Sequence, residues 1–304
     1  MNFGTILCSV FIGITSITML STDESLLSLL IVNVIVQASL FVAVACIPFL
    51  RTGRMSFVDI AWPFGVAAIG LQILLIGDGD LVRKSLVGGI YLMIGLRMGF
   101  GALTMAKATG VIVKTEFPRY IYRRMKFEEA GEKHIRFHML AEIMAQGFAN
   151  MSVLALPGFM LAINGSDAIS AWEVAGLCLW GTAYILESTA DLQKLKFISN
   201  NSRGVCNVGL WRYSRHPNYF SEWLVWTGLV VAAVPSWLAL HATESLLVWI
   251  TLGLGAIGAS AMLYTTLVYL TGAIPAEYYS ARKRPEYKQY QQTTNMFFPW
   301  FPKG

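Results

Sequence analysis

Residues 209–223, Gly-Leu-Trp-Arg-Tyr-Ser-Arg-His-Pro-Asn-Tyr-Phe-Ser-Glu-Trp, gather Arg212, Arg215, His216, Asn218 and Glu222 with Tyr213 and Tyr219 directly against an apolar run. Pro217 suits the first turn of a helix, where its missing N–H leaves no broken bond. The helix N-terminus and two guanidinium groups would then face one place, an arrangement fit for an anion such as a diphosphate. Glu222 follows Asn218 by four residues, so the two share a face. Upstream, Glu187 and Asp191 also stand four apart at the end of another apolar run, with Gln193, Lys194 and Lys196 just beyond. Two polar faces flanking one loop form a candidate pocket. The plainer readings are interhelical hydrogen bonding for the acids and ordinary membrane topology for the arginines.

Ionisable groups inside apolar runs are costly and tend to mark sites. Here they are Asp59, Arg97, Glu142, Glu187, Asp191 and Glu222, with Glu277 near the end of the last run. His134, His138 and Glu142 recur at helical spacing, but four histidines in the whole chain exclude a multi-histidine di-iron centre, and no metal is assigned. Cys8, Cys46, Cys178 and Cys206 show no CxxC spacing and read as small hydrophobes. No Walker loop, GxSxG elbow or GxGxxG after a strand is present, so a nucleotide cofactor would bind among membrane helices.

The elements that must hold these residues are set by hydropathy. The 304 residues are 55% hydrophobic and 13% charged, with mean hydropathy +0.56, too apolar for an ordinary soluble domain. Apolar stretches near 3–20, 26–50, 57–76, 86–106, 139–163, 170–190, 218–240 and 245–271 approach the ~20 residues that cross a hydrocarbon core. The expectation is an all-α, polytopic transmembrane helical bundle of about seven or eight spans. The N-terminal run lacks a basic n-region and reads as a retained span. Lys and Arg concentrate in 51–56, 107–138, 191–217 and 271–304, whereas the alternate loops hold only Arg83 and Lys84. By the positive-inside rule both termini are expected in the cytoplasm. The net charge of +5 is explained by those loops and by anionic lipid, so nucleic acid is not an expected partner. The 107–138 insertion reads as a basic amphipathic helix on the membrane surface. The tail from 274 is broken by prolines and is expected to fold over the cytoplasmic mouth.

Read with Glu187-x-x-x-Asp191-x-Gln193, with Tyr287-x-x-Tyr290 and with the FFPWFP ending, the 209–223 segment resembles the steroid 5-alpha-reductase superfamily, in particular its bacterial branch carrying the reductase C-terminal domain. SFVDIAW and Arg97 fit the same pattern, so the likeness runs from about Ser56 to the end. It implies a membrane enzyme that uses NADPH to reduce a carbon–carbon double bond conjugated to a ketone in a steroid-like or other lipid. Carried over position by position, Asp191, Arg212, Tyr213, Asn218 and Glu222 match cofactor-binding positions, and Glu187 replaces an asparagine. Arg215, His216, Tyr219, Glu277 and Tyr279 are further cofactor candidates. Asp59 sits near the acidic position that meets the substrate ketone, with Arg97 and Tyr91 as catalytic candidates on another span. Ile94 stands where relatives carry a tyrosine three residues before the span arginine.

Hydride attack on an enone builds charge on the carbonyl oxygen, which a buried acid or hydroxyl would stabilise. Asp59, if kept protonated by burial, is the expected donor. The expected organisation is one membrane-embedded domain, 1–304, with helices in 1–186 forming the substrate cavity and 187–304 holding the cofactor. Expected partners are membrane lipids and the hydrophobic substrate, with no obligate protein partner, in a bacterial inner or endoplasmic reticulum membrane. Two rival readings remain. One is a membrane methyltransferase of the isoprenylcysteine carboxyl type using S-adenosylmethionine, which shares an RHP-x-Tyr motif. The other is a non-catalytic lipid-binding protein.

Overall fold

A computed structural model describes residues 3–200 and 204–303, apart from the side chains of 3–8 and 11. Every regular element in them is helical: α1 (Phe3–Met19), α2 (Glu24–Phe41), α3 (Ile47–Thr52), α4 (Val58–Ile76), α5 (Leu81–Thr109), α6 (Pro118–Glu129), α7 (Ile135–Met151), α8 (Leu156–Ala162), α9 (Ala171–Asn200), α10 (Pro217–Ala239), α11 (Leu246–Thr265), α12 (Ala273–Lys283) and α13 (Tyr287–Thr293). A π turn at Val42–Cys46 joins α2 to α3, and another at Thr266–Leu270 precedes α12.

Six helical segments are long and apolar enough to cross a membrane: Glu24–Thr52, Met55–Ile76, Leu81–Thr109, Ile135–Ala162, Pro217–Ala242 and Leu246–Lys283. The expectation of seven or eight included α1 and α9, which are not among them. α1 has only 17 residues, and the apolar start of α9 gives way to Glu187, Asp191, Lys194 and Lys196. Cys46, Cys178 and Cys206 carry free thiols; the Cys8 side chain lies outside the described residues.

The chain forms two compact units. The first comprises the residues up to Val174 with Val230–Ala259. Its spine is α4 against α5, brought close because Gly95 lacks a side chain: a Cβ there would collide with the backbone of Pro63 and Ala67. Four buried amides replace charge as the polar glue of its spans. Gln37 and Gln72 donate to Asn33 Oδ1 at 3.0 and 3.3 Å, Asn33 donates to the Asn150 carbonyl at 3.0 Å, and Asn150 donates to Gln37 at 3.2 Å.

Arg83 and Lys84, the two cations outside the basic loops, are consumed internally. Arg83 pairs with Glu173 and donates to the Asn164 and Ala168 carbonyls at 3.0 and 2.9 Å. Lys84 caps the Gly77 carbonyl at 2.7 Å. The 107–138 insertion also turns inward more than its amphipathic pattern suggested. Tyr120 and Phe127 enter a core with Phe41, Phe49 and Met139. Arg123 donates to Glu142 at 2.7 Å, and Arg124 donates to the Gly53 carbonyl at 2.7 Å.

The second unit comprises Ala175–Leu229 with the residues from Ser260 onward. Gly228 lets α10 meet the backbone of Gly176 and Trp180 on α9. Trp223 donates to the Ser260 carbonyl at 3.2 Å, fixing α10 to α11. The C-terminal tail closes this unit by inserting Phe297 among Leu267, Val268, Tyr219, Phe220, Trp223 and Tyr264.

Candidate functional site

In the second unit, the end of α9 carries the loop that leads into α10. Gly209 takes a left-handed conformation, φ 57°, which L-residues with a Cβ disfavour. That turn lets Gln193 accept from the Leu210 N–H at 2.9 Å. Trp211 follows, its indole donating to the Ala190 carbonyl at 2.9 Å and its ring lying 4.3 Å from Lys194 Nζ. The loop is therefore built onto α9 before its charged residues are reached.

Arg215 and His216 then turn into the unit, not toward solvent. Arg215 Nε and Nη2 meet the two oxygens of Glu277 at 2.6 and 3.1 Å, a bidentate fork. Its Nη1 donates to the Gln291 carbonyl at 2.9 Å and also to that of Thr294. His216 Nε2 lies 3.2 Å from Glu277 Oε1, Gln291 donates to Glu277 at 2.7 Å, and the His216 ring stacks on Tyr219 at 5.3 Å. Burial holds the His216 pKa below its ordinary value, against the opposing pull of Glu277. The anion facing Arg215 is thus the chain's own Glu277, where the sequence suggested a diphosphate.

Arg212 and Tyr213 remain exposed on the loop, with Tyr213 6.0 Å from Phe301. Tyr290 donates to the Trp211 carbonyl and lies 3.2 Å from that of Ser214. Burial raises the pKa of that phenol, so it stays a donor.

The two polar faces do meet. Asn218 Nδ2 donates to Asp191 Oδ1 at 3.1 Å, joining the first turn of α10 to α9. Asn218 Oδ1 is buried and has no hydrogen-bond partner among the described residues. Glu187, one turn back on α9, is buried as well. Glu222 is half-buried on α10, and Tyr279 is half-buried on α12 with its ring 5.1 Å from Tyr278.

In the first unit, Asp59 sits in the first turn of α4. Tyr120 donates to its Oδ1 at 2.9 Å, and Arg119 Nη2 lies 2.7 Å from its Oδ2. Burial pushes the Tyr120 phenol well up from its ordinary pKa, so it keeps its proton. Asp59 Oδ1 is therefore an acceptor in this cluster. Nothing in the local pattern of Arg119 and Tyr120 separates them from an interfacial helix, so the sequence does not show that they meet Asp59. Tyr91 is fully buried, donating to the Leu154 carbonyl at 2.7 Å and accepting from Gly158 N–H at 3.2 Å, both structural bonds. Arg97 lies half-buried on the same helix, α5. His138 pairs with Glu132 at 3.0 Å while Glu142 pairs with Arg123, so these residues are committed separately.

A family model described as a protein of unknown function, DUF1295, matches residues 46–294. An uncharacterised protein of Schizosaccharomyces pombe is 25% identical over an alignment covering 82% of this chain and 73% of that protein. No solved structure matches.

Proposed function

The chain belongs to the DUF1295 family of proteins of unknown function, and on that premise we infer that it is a membrane oxidoreductase of steroid 5-alpha-reductase type, using NADPH to saturate an enone in a steroid-like or other lipid. The observation that carries this reading is the orphaned Asn218 Oδ1, buried beside the Asp191–Asn218 bond that closes two helices. A buried acceptor without a partner costs about 1–3 kcal/mol, so a ligand that donates to it recovers that loss. The carboxamide and ribose hydroxyls of a nicotinamide nucleotide are such donors, and Asp191, Glu187 and Glu222 add acceptors of the same kind. Arg212 is the exposed cation of the loop, available to phosphate.

Bound NADPH would supply a hydride to the β carbon of the enone. Charge then develops on the ketone oxygen, and a neutral phenol is a suitable hydrogen-bond donor for it. A proton added at the α carbon completes the saturated ketone.

Glu277 at Arg215 favours a second reading, because it fills a position where a dinucleotide's phosphate could have gone. S-adenosylmethionine carries no phosphate, which keeps a membrane methyltransferase in view. Parallel thermal unfolding of the purified protein with NADPH, NADH and S-adenosylmethionine separates the two, since a ligand at 100 times its Kd stabilises by about 2.7 kcal/mol. Stabilisation by NADPH, followed by its oxidation in the presence of a 4-ene-3-keto steroid, supports the reductase. Stabilisation by S-adenosylmethionine alone replaces it with the methyltransferase, and no response to either ligand overturns both.

A further inference from the structure

Four large aromatic residues of the second unit remain exposed near the chain end: Phe298 at 51%, Trp300 at 68%, Phe301 at 72% and Tyr213 at 38%. They are not on a loose end. The Trp300 N–H donates to the Tyr213 carbonyl at 2.9 Å, Arg215 N–H to the Asn295 carbonyl at 2.9 Å, Ser214 Oγ to the Phe297 carbonyl at 2.9 Å, and Lys303 N–H to the Thr293 carbonyl at 2.8 Å. Pro299 and Pro302 contribute no N–H at all. The tail is therefore tied to the loop before α10 and to the end of α13 by backbone hydrogen bonds.

Its depth follows from its ring contacts. Phe298 lies 5.9 Å from Phe220, 5.9 Å from Trp223 and 6.0 Å from Tyr264. Those partners belong to segments that suit membrane spans, Pro217–Ala242 and Leu246–Lys283. Trp223 is six positions past Pro217, roughly 9 Å along a helix rising 1.5 Å per residue. Where α10 crosses a bilayer, an aromatic ring exposed beside its second turn lies at the level of the lipid boundary. Irregular backbone is tolerated in such a place only when its polar groups are paired, as they are at Trp300 and Lys303. Arg212 and Lys303, both exposed, frame the cluster with cations suited to lipid phosphate.

We propose that residues 298–303 form an interfacial anchor, with Phe298, Trp300 and Phe301 inserted into the lipid boundary of the leaflet from which α10 starts. Trp and other amphipathic rings favour that boundary. The anchor has a second consequence. Trp300 holds the Tyr213 carbonyl, and the adjoining Asn295 and Phe297 carbonyls accept from Arg215 and Ser214, so seating the tail in lipid also seats the loop that carries Arg215 and His216. This inference does not depend on which cofactor the protein uses.

The test is fluorescence of the full chain in nanodiscs of phosphatidylcholine and phosphatidylglycerol. Trp300 is one of nine tryptophans, so the difference between wild type and Trp300→Phe isolates its emission. The expected result is a blue-shifted difference signal lost when the discs contain phosphatidylcholine with a nitroxide at the top of the acyl chain, and largely spared by iodide in the buffer. Loss to iodide with no response to the nitroxide overturns the proposal by placing the ring in water. Resistance to both overturns it by placing the ring against protein, including a second copy. Adding Phe301→Trp to Trp300→Phe gives an independent reporter and must behave in the same way.

Discussion

Glu277 takes both ends of the Arg215 guanidinium fork, at 2.6 and 3.1 Å, while His216 approaches the same carboxylate at 3.2 Å. The fork joins the loop before α10 to α12 across 62 residues of chain. A buried charge pair of this kind is weak evidence for net stability but strong evidence for what happens when it is broken.

Arg215→Ala strands the Glu277 charge and is expected to destabilise the protein by about 3–5 kcal/mol. Arg215→Met combined with Glu277→Leu removes both charges and is expected to cost less than Arg215→Ala alone. Thermal unfolding of the two variants in one detergent checks this; equal losses would mean the pair is solvated and inert.

His216 is buried with a pKa below the ordinary 6.5. The unfolded chain then binds a proton at a pH where the folded chain does not, so stability falls as pH drops below about 6.5, by at most ~1.4 kcal/mol per pH unit from this group. His216→Phe is expected to flatten that segment of the stability curve whatever its effect on absolute stability. A curve with unchanged slope would assign the acid sensitivity elsewhere.

Gly272 sets the angle at which α12 leaves α11. A Cβ there would collide with the Leu267 carbonyl, so Gly272→Ala forces the backbone to move and should cost about 1–3 kcal/mol. Because α12 carries Glu277, the variant is expected to loosen the Arg215 loop as well. Faster proteolysis within 204–216 at unchanged helicity would show it.

Asn218→Leu removes the orphaned acceptor and the bond to Asp191. The thermal shift produced by NADPH is expected to shrink as if Kd had risen at least tenfold, about 1.4 kcal/mol of binding. An undiminished shift would remove Asn218 from the cofactor site.

Tyr120→Phe deletes the phenol held by Asp59. It leaves Asp59 without that hydrogen bond and is expected to destabilise the protein by about 1–3 kcal/mol, read by thermal unfolding. Unchanged stability would show that the Tyr120–Asp59 bond contributes nothing net.

What could be read from the chain without its structure is what hydropathy and short-range periodicity encode. Long apolar runs specify helices suited to a bilayer whatever surrounds them, because backbone groups in hydrocarbon must bond within their own segment. Helical spacing likewise placed Glu187 with Asp191 and Asn218 with Glu222, and proline chemistry marked the start of α10. The same reasoning expected spans at α1 and α9 as well, which are not among the six segments long and apolar enough to cross a membrane, since α1 is short and α9 changes character along its length.

The partners of the charged groups were decided only by tertiary structure. Arg215 looked open to a diphosphate because the loop does not record that Glu277 will fold against it. The residues beside Asp59 do not record that Arg119 and Tyr120 reach it from about 60 positions away. Local sequence fixes which residues share a helical face; long-range packing fixes which charges meet, and with that which polar atoms are satisfied. Asn218 Oδ1 is the instructive case, since neither its burial nor its lack of a partner leaves any trace in the residues beside it.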